Sequence, residues 1–416
     1  MEQSRNNIKV FEFDSLQIET KYDGVLFTEH HFNALVKLND LHKGKYFSIG
    51  YRKITFKNYV GVVQVDGLTI EILPKIDRYE TDTALWQRVL IQMLKVTKKL
   101  KVQTVDEANV NNQQIHLLDI YFEWFLNEVQ LLLHQGLIKQ YYKETGNVKA
   151  LKGKIEFAGQ IAKNLVHKER FITTHQVYGK DHQIHRIISQ ALEIVAYLSK
   201  GSIIYGKCKT VQLDFPEVAN CNVNESTFEK LPNTRKTAPY KTAIALARLI
   251  VLNYAPNISA GKEKMLAILF DMNSLWEEYI LTMLKQTVEE GIIVYGQQSK
   301  LFWGNITIRP DIIIEKESNG EKQVFVIDTK WKNIDLSEPS THDLRQMYVY
   351  NDYWQSHKAM LLYPSKETQL PKFIKFEANS SKSLPHHCSV GKISIFQNAQ
   401  GILDNKLGEK IIKLFL

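Results

Sequence analysis

The distribution of hydrophobic positions changes character twice along the chain. From residue 8 to about 80, short β-branched and aromatic stretches recur: Phe11 to Ile18, Lys45 to Phe56, Tyr59 to Val65 and Leu68 to Leu73. Such stretches fit strands, and Asp66-Gly67 supplies hairpin chemistry between the last two. A short helix is predicted over Glu29 to Asp40. From about residue 84 the apolar positions fall at three- and four-residue steps. That spacing predicts helices over Leu85 to Lys99, Leu117 to Gln135, Asp181 to Leu198 and Tyr240 to Tyr254. Lys149 to Phe157 reads as a small strand or turn, and 201–239 as a long connection without a clear period. Next, Lys264 to Glu290 reads as one long helix with a weak point at Met272-Asn273. It is followed by a strand (Ile292 to Tyr295) and a hairpin (Trp303 to Ile314 with Gln323 to Thr329, turning at Ser318-Asn319-Gly320). A helix (His342 to Gln355), a strand (Ala359 to Tyr363) and a terminal strand and helix complete the chain. The expected fold class is α+β multidomain. It comprises a β-rich module (1–80), a mostly helical middle (81–255) and a C-terminal α/β domain (256–416).

Composition narrows the picture only modestly. The 416 residues suffice for two to three domains, and 44% hydrophobic residues suffice for a core. A net charge of +8 favours a polyanionic partner without requiring one. Cys208, Cys221 and Cys388 form no C-x-x-C pair, which speaks against zinc ribbons and fits a reducing compartment. His386-His387-Cys388 lacks a nearby fourth ligand and reads as loop. With a polar N-terminus and no run of 18 apolar residues, the expected location is the cytoplasm, with no membrane partner.

The chemistry concentrates near the C-terminus. Arg309-Pro310-Asp311 is followed 17 positions later (328 − 311) by Asp328-Thr329-Lys330. Strand side chains alternate faces, so Asp328 and Lys330 lie side by side on one face with Val324 and Val326. Asp311 approaches Asp328 if the hairpin is in register. Two neighbouring carboxylates repel and raise each other's pKa unless a cation lies between them. Mg²⁺, as one or two ions, suits such oxygen ligands, with the Thr329 carbonyl as a further donor. Lys330 would then orient the attacking water or stabilise charge growing on a phosphate. Two other acid-x-Lys triplets, at Glu19 and Asp404, have no Pro-Asp upstream at hairpin distance. Gln346 and Tyr350, four apart, share a helix face next to the site, and Glu277 and Glu278 bring acids from the upstream helix. Gly201 to Cys208 imitates a P-loop, but Cys208 stands where a hydroxyl must bind Mg²⁺. No nucleotide is therefore expected on this chain.

Several segments together resemble the McrC family, the nuclease subunits of modification-dependent McrBC restriction systems. They are Ile70-Glu71-Ile72-Leu73-Pro74-Lys75-Ile76, Leu151-Lys152-Gly153-Lys154-Ile155, Phe270 to Glu277, Arg309-Pro310-Asp311 and Asp328 to Lys332. The resemblance runs from about residue 8 to about 365. It implies a PD-(D/E)xK nuclease domain with a central mixed sheet. Asp311, Asp328 and Glu277 would be metal-site acids, Lys330 the catalytic lysine, and Gln346 and Tyr350 a Q-x-x-x-Y element. It also implies partners: double-stranded, modified DNA, and a hexameric McrB-like AAA+ GTPase docked through the Phe11 to Pro74 module and stimulated by it. Asp181 and His185, where the family often has a D-x-x-x-N-like step, receive no role. The competing expectations are a regulatory adaptor with a silent nuclease fold, and a stand-alone RecB-like exonuclease.

Overall fold

The computed structural model describes residues 6–415 except 66, 78, 100–115, 257–263, 288–290, 319–320, 333–338, 357, 378–384 and 398–400. The two hairpin turns expected at Asp66-Gly67 and Ser318-Asn319-Gly320 thus lie partly outside the described residues. Where the sequence suggested three consecutive domains, the chain groups into two compact units. One comprises the described residues within 6–63, 68–99 and 269–415; the other comprises those within 64–67 and 116–268.

In the first unit, β1 (Asn6–Phe11) pairs in parallel with a later strand, β8 (Leu68–Leu73), from Asn6↔Leu68 to Phe11↔Leu73. Between them lie β2 (Ser15–Gln17), β3 (Thr20–Tyr22), β4 (Val25–Phe27), α1 (Glu29–Leu41), β5 (Phe47–Gly50), β6 (Lys53–Phe56) and β7 (Tyr59–Val65). Every residue of β8 is buried, including the polar Thr69 and Glu71. The helix α1 starts where Thr28 caps the His31 N–H, and α2 (Thr83–Val96) starts where Asp82 caps Leu85.

The second unit is not purely helical. Its core is α3 (Leu117–Gln135), α5 (Gln183–Leu198), α6 (Ile203–Asp214) and α8 (Lys241–Leu252), packed on side chains such as Phe125, Ile188, Val211 and Ala247. A three-stranded antiparallel sheet departs from the expectation. It comprises β9 (Gln140–Val148), β10 (Lys154–Ile155) and β11 (Phe171–Gly179), with α4 (Phe157–Asn164) between the last two. The expected long connection over 201–239 is also replaced, by α6 and α7 (Glu225–Glu229). The P-loop imitation ends inside α6: Lys207 bonds Asn127 and Cys208 is buried, so no phosphate-binding loop forms.

The stretch expected as one long helix is a strand followed by a helix. After β12 (Tyr254–Pro256), β13 (Lys264–Asp271) carries the chain into the first unit, where α9 (Met272–Gln286) begins. Asp271 ends the strand and caps the helix by accepting from Ser274, and Asn58 holds its other oxygen. A six-stranded mixed sheet then follows in the order β14-β17-β18-β19-β21-β20. Its strands are β14 (Ile292–Gly296), β17 (Ile312–Ser318), β18 (Glu321–Thr329), β19 (Lys358–Ser365), β20 (Ile374–Lys375) and β21 (His387–Ser394). A separate hairpin, β15 (Lys300–Trp303) with β16 (Ile306–Ile308), precedes β17. The helix α10 (Thr341–Trp354) crosses over between the parallel strands β18 and β19, and α11 (Leu407–Lys413) closes the chain. Cys388, expected in a loop, is buried in β21.

Candidate active site

Register brings the two aspartates together. β17 and β18 pair antiparallel with Ile313↔Val326 and Ile312↔Ile327; one further step in the same register sets Asp311 opposite Asp328. The face they share continues into a core of Ile313, Val324, Val326, Met347, Tyr350 and Leu361, so apolar packing fixes both strands just below the acids. Pro310 ends the preceding segment, and the Gln297 N–H donates to the Asp311 carbonyl.

Asp311 is held by its neighbour in the motif. Its Oδ2 accepts from the Thr329 backbone N–H at 2.7 Å and from the Thr329 hydroxyl at 2.9 Å. Thr329 was expected as a carbonyl donor; the structure adds its N–H and hydroxyl as the clamp on Asp311. Asp328 is only 2% exposed. Its Oδ2 lies 2.7 Å from the Lys330 ammonium, and its Oδ1 accepts from Gln346 at 3.3 Å. The Lys330 N–H continues the parallel pairing by donating to the Leu362 carbonyl, which anchors the lysine backbone. Its ammonium also lies 3.6 Å from Asp343.

These acids carry more negative charge than their surroundings neutralise. Burial pushes both Asp311 and Asp328 above the ordinary carboxylate range. For Asp328 the charge of Asp311 adds to burial, against the opposing pull of Lys330. Burial alone would lower Lys330, but Asp328, then Asp343 and Asp311, hold it above the usual lysine range. Glu277, on α9, is pushed up to about 7 by burial and then by the charge of Asp311. Its Oε1 accepts from the Gln297 amide at 2.6 Å. The adjacent Glu278 instead pairs with Lys99 at 2.9 Å. Of the two helix acids, Glu277 is therefore the one that feels the charge of Asp311.

The helix face carrying Gln346 and Tyr350 acts on the protein itself. The Gln346 amide donates to both Asp328 and the Tyr350 oxygen (2.7 Å), and the Tyr350 hydroxyl donates to the Arg309 carbonyl at 2.9 Å. One short relay thus ties the strand bearing Asp328 to the turn bearing Asp311. Two participants were not anticipated. Asp343 takes Ser340 as cap (Ser340 Oγ to Asp343 Oδ2, 2.8 Å) and faces Lys330. The spacing Ser340-x-x-Asp343 is a helix-start signal that marks its place. Glu12, in the turn after β1, accepts from the indole N–H of Trp331 at 2.6 Å and from the Lys75 N–H at 3.1 Å. No local pattern announces that pairing, which spans most of the sequence.

Among the described residues no three His, Cys, Asp or Glu side chains form a ready-made metal cluster. The donor chemistry still suits a hard divalent cation: two desolvated carboxylates at opposed positions, each raised by burial, with Glu277 raised in turn by the charge of Asp311.

The fold and site define a mixed α/β protein with a buried acid pair and a lysine at the open end of two paired strands. A family model described as "McrBC 5-methylcytosine restriction system component" matches residues 54–364, and the chain belongs to that family. The curated protein "Type IV methyl-directed restriction enzyme EcoKMcrBC" of Escherichia coli (strain K12) is 22% identical over 301 residues, covering 64% of this chain and 82% of that protein. A chain of the refined half-complex from a tetradecameric assembly of Thermococcus gammatolerans McrB AAA+ hexamers with bound McrC superposes with a TM-score of 0.68. That match is 18% identical and covers 99% of this chain and 100% of the other. No helix among the described residues is long and apolar enough to cross a membrane.

Proposed function

We propose that this chain is the DNA-cutting, McrC-like subunit of a modification-dependent restriction complex, with a PD-(D/E)xK nuclease site. The observation that carries the reading is the convergence of Asp311, Asp328 and Lys330 through the β17–β18 register and the Thr329 clamp. Asp311 and Asp328, with the Thr329 carbonyl and Glu277 in support, would hold Mg²⁺. When bound, the ion neutralises the acids and polarises the scissile phosphate. Hydrolysis joins a water oxygen to phosphorus while the bond from phosphorus to one deoxyribose oxygen breaks, and that oxygen leaves as a hydroxyl after taking a proton from solvent. Lys330, kept cationic by Asp328 and Asp343, is placed to donate to the phosphate oxygen on which charge grows. Gln346 and Tyr350 are positioning residues, since their bonds end on Asp328 and on the Arg309 backbone.

Family membership supports a partner for this reading: a McrB-like AAA+ GTPase hexamer would drive the DNA, and this chain would bind no nucleotide itself. The Phe11 to Pro74 module is the expected dock: β7 and β8 are almost wholly buried, but Phe13 and Tyr51 of the same module are exposed. Exposed Tyr141, Leu151, Phe157, Ile161, Leu165 and Val166 offer the β9–β11 sheet and α4 as a further docking element. The test of the cutting role is Asp328→Ala with the partner GTPase and methylated duplex. Cleavage should fall at least ~100-fold, as expected on removing one electrostatic element of a site. Cleavage at the parent rate would leave a regulatory adaptor as the reading. Degradation of free DNA ends without partner or nucleotide would instead indicate a stand-alone exonuclease.

A further inference from the structure

Next to the acid pair the surface opens into a groove of about 630 Å³. One wall is Phe302, Thr307 and Arg309, at the β15–β16 hairpin and the turn that follows it; the other is His342, Arg345 and Gln346 on α10. Gln346 connects the groove floor to Asp328. The hairpin is anchored at its base: Lys300 donates to the Tyr353 carbonyl at 2.7 Å and sits 4.9 Å from the Trp354 ring centroid, while Phe302 meets Tyr353 ring to ring at 5.6 Å. Its apex is bare, with Trp303 75% exposed and Leu301 and Ile306 exposed beside it. A two-stranded ribbon gains little by showing so much apolar surface to water. No acid occurs between Gly296 and Pro310, whereas Lys300 and Arg309 do. An aromatic tip beside a cationic groove suits a ligand with stacked, flat faces and an anionic backbone.

We propose that the β15–β16 hairpin and this groove seat duplex DNA, with Arg309 and Arg345 on backbone phosphates and Trp303 against sugars and bases flanking the scissile bond. The proposal rests on the nuclease reading and deepens it by naming the residues that present the substrate. Charge complementarity selects DNA over a second copy of this chain, which is itself basic at +8.

The test is binding of a short fluorescent duplex to the full chain in EDTA, where no cutting occurs, measured by anisotropy across a salt series. Trp303→Ala should weaken binding about tenfold, the scale of one lost aromatic–base contact, with an unchanged salt slope; Trp303→Phe should recover most of it. Arg345→Ala should weaken binding and flatten the slope of log affinity against log salt by about one. Parent-like binding by both alanine variants overturns the proposal. So does loss of self-association in Trp303→Ala with DNA binding intact, an outcome that assigns the hairpin to contact between copies. Because cleavage plays no part, failure here leaves the catalytic assignment of the acids standing. Cleavage by Asp328→Ala removes that assignment whatever the hairpin does.

Discussion

Glu12 is 1% exposed, and burial pushes its carboxyl up to about 7, against the Trp331 and Lys75 donors that favour the charged form. A folded-state value above the unfolded one means that its contribution is fully present below about 4.5 and is lost as pH rises through about 7. Glu12→Gln keeps an acceptor for Trp331 and removes the buried charge. It should change stability little at pH 5 and raise it by about 2 kcal/mol at pH 8, read from urea unfolding at both values. Tyr350 makes a different demand. Phenylalanine preserves its packing against Trp354 but leaves the Arg309 carbonyl and the Gln346 amide short of a partner. Tyr350→Phe should cost about 1 kcal/mol of stability and lower kcat for cleavage roughly tenfold with KM nearly unchanged. An equal rise in KM would instead place Tyr350 on the substrate. Glu277, pushed up to about 7, is protonated below that pH, so divalent-ion affinity should weaken as pH falls from 8 to 6. A metal titration at the two pH values reads this directly.

Legibility varied from element to element for physical reasons. Strong periodicity gave α3 its observed ends, Leu117–Gln135, and the alternation of β18 placed Asp328 and Lys330 on one face. The segment Met265 to Phe270 is apolar without a period, and a buried strand and a buried helix look alike in such a run; the Asp271 cap decided it. β9 is nearly all polar or exposed, and its partner β11 lies beyond an intervening strand and helix, so nothing local marks it as a ladder. The helix α6 buries only Cys208 and Val211 and thus shows no stripe. In the site, the motif residues were readable because they lie on one hairpin. Asp343 and Glu12 were not, because tertiary pairing alone assigns their roles. The α10 cap is a testable part of this design. Ser340→Ala should cost about 1 kcal/mol and free Asp343 from its cap. Cleavage should fall because Lys330 loses a fixed neighbour, whereas a stability loss with unchanged cleavage would confine Ser340 to the helix.

Across the whole molecule, the proposed cutting site and the docking side chains proposed on α4 fall in different units. The acids and the lysine lie in one compact unit, and the exposed apolar side chains of α4 lie in the other. Asp311→Ala should therefore stimulate GTP turnover by a McrB-like partner as well as the parent does while cutting no DNA. Substitutions on exposed α4 side chains, such as Phe157→Ser with Ile161→Ser, should do the reverse to turnover. Everything in the catalytic reading depends on Asp311 and Asp328 sharing a divalent cation beside Lys330. The most direct measurement is electron paramagnetic resonance of Mn²⁺, used in place of Mg²⁺, titrated into the parent and the two alanine variants. The account predicts a bound-Mn²⁺ signal in the parent that disappears in both Asp311→Ala and Asp328→Ala. Undiminished binding in both variants would contradict it.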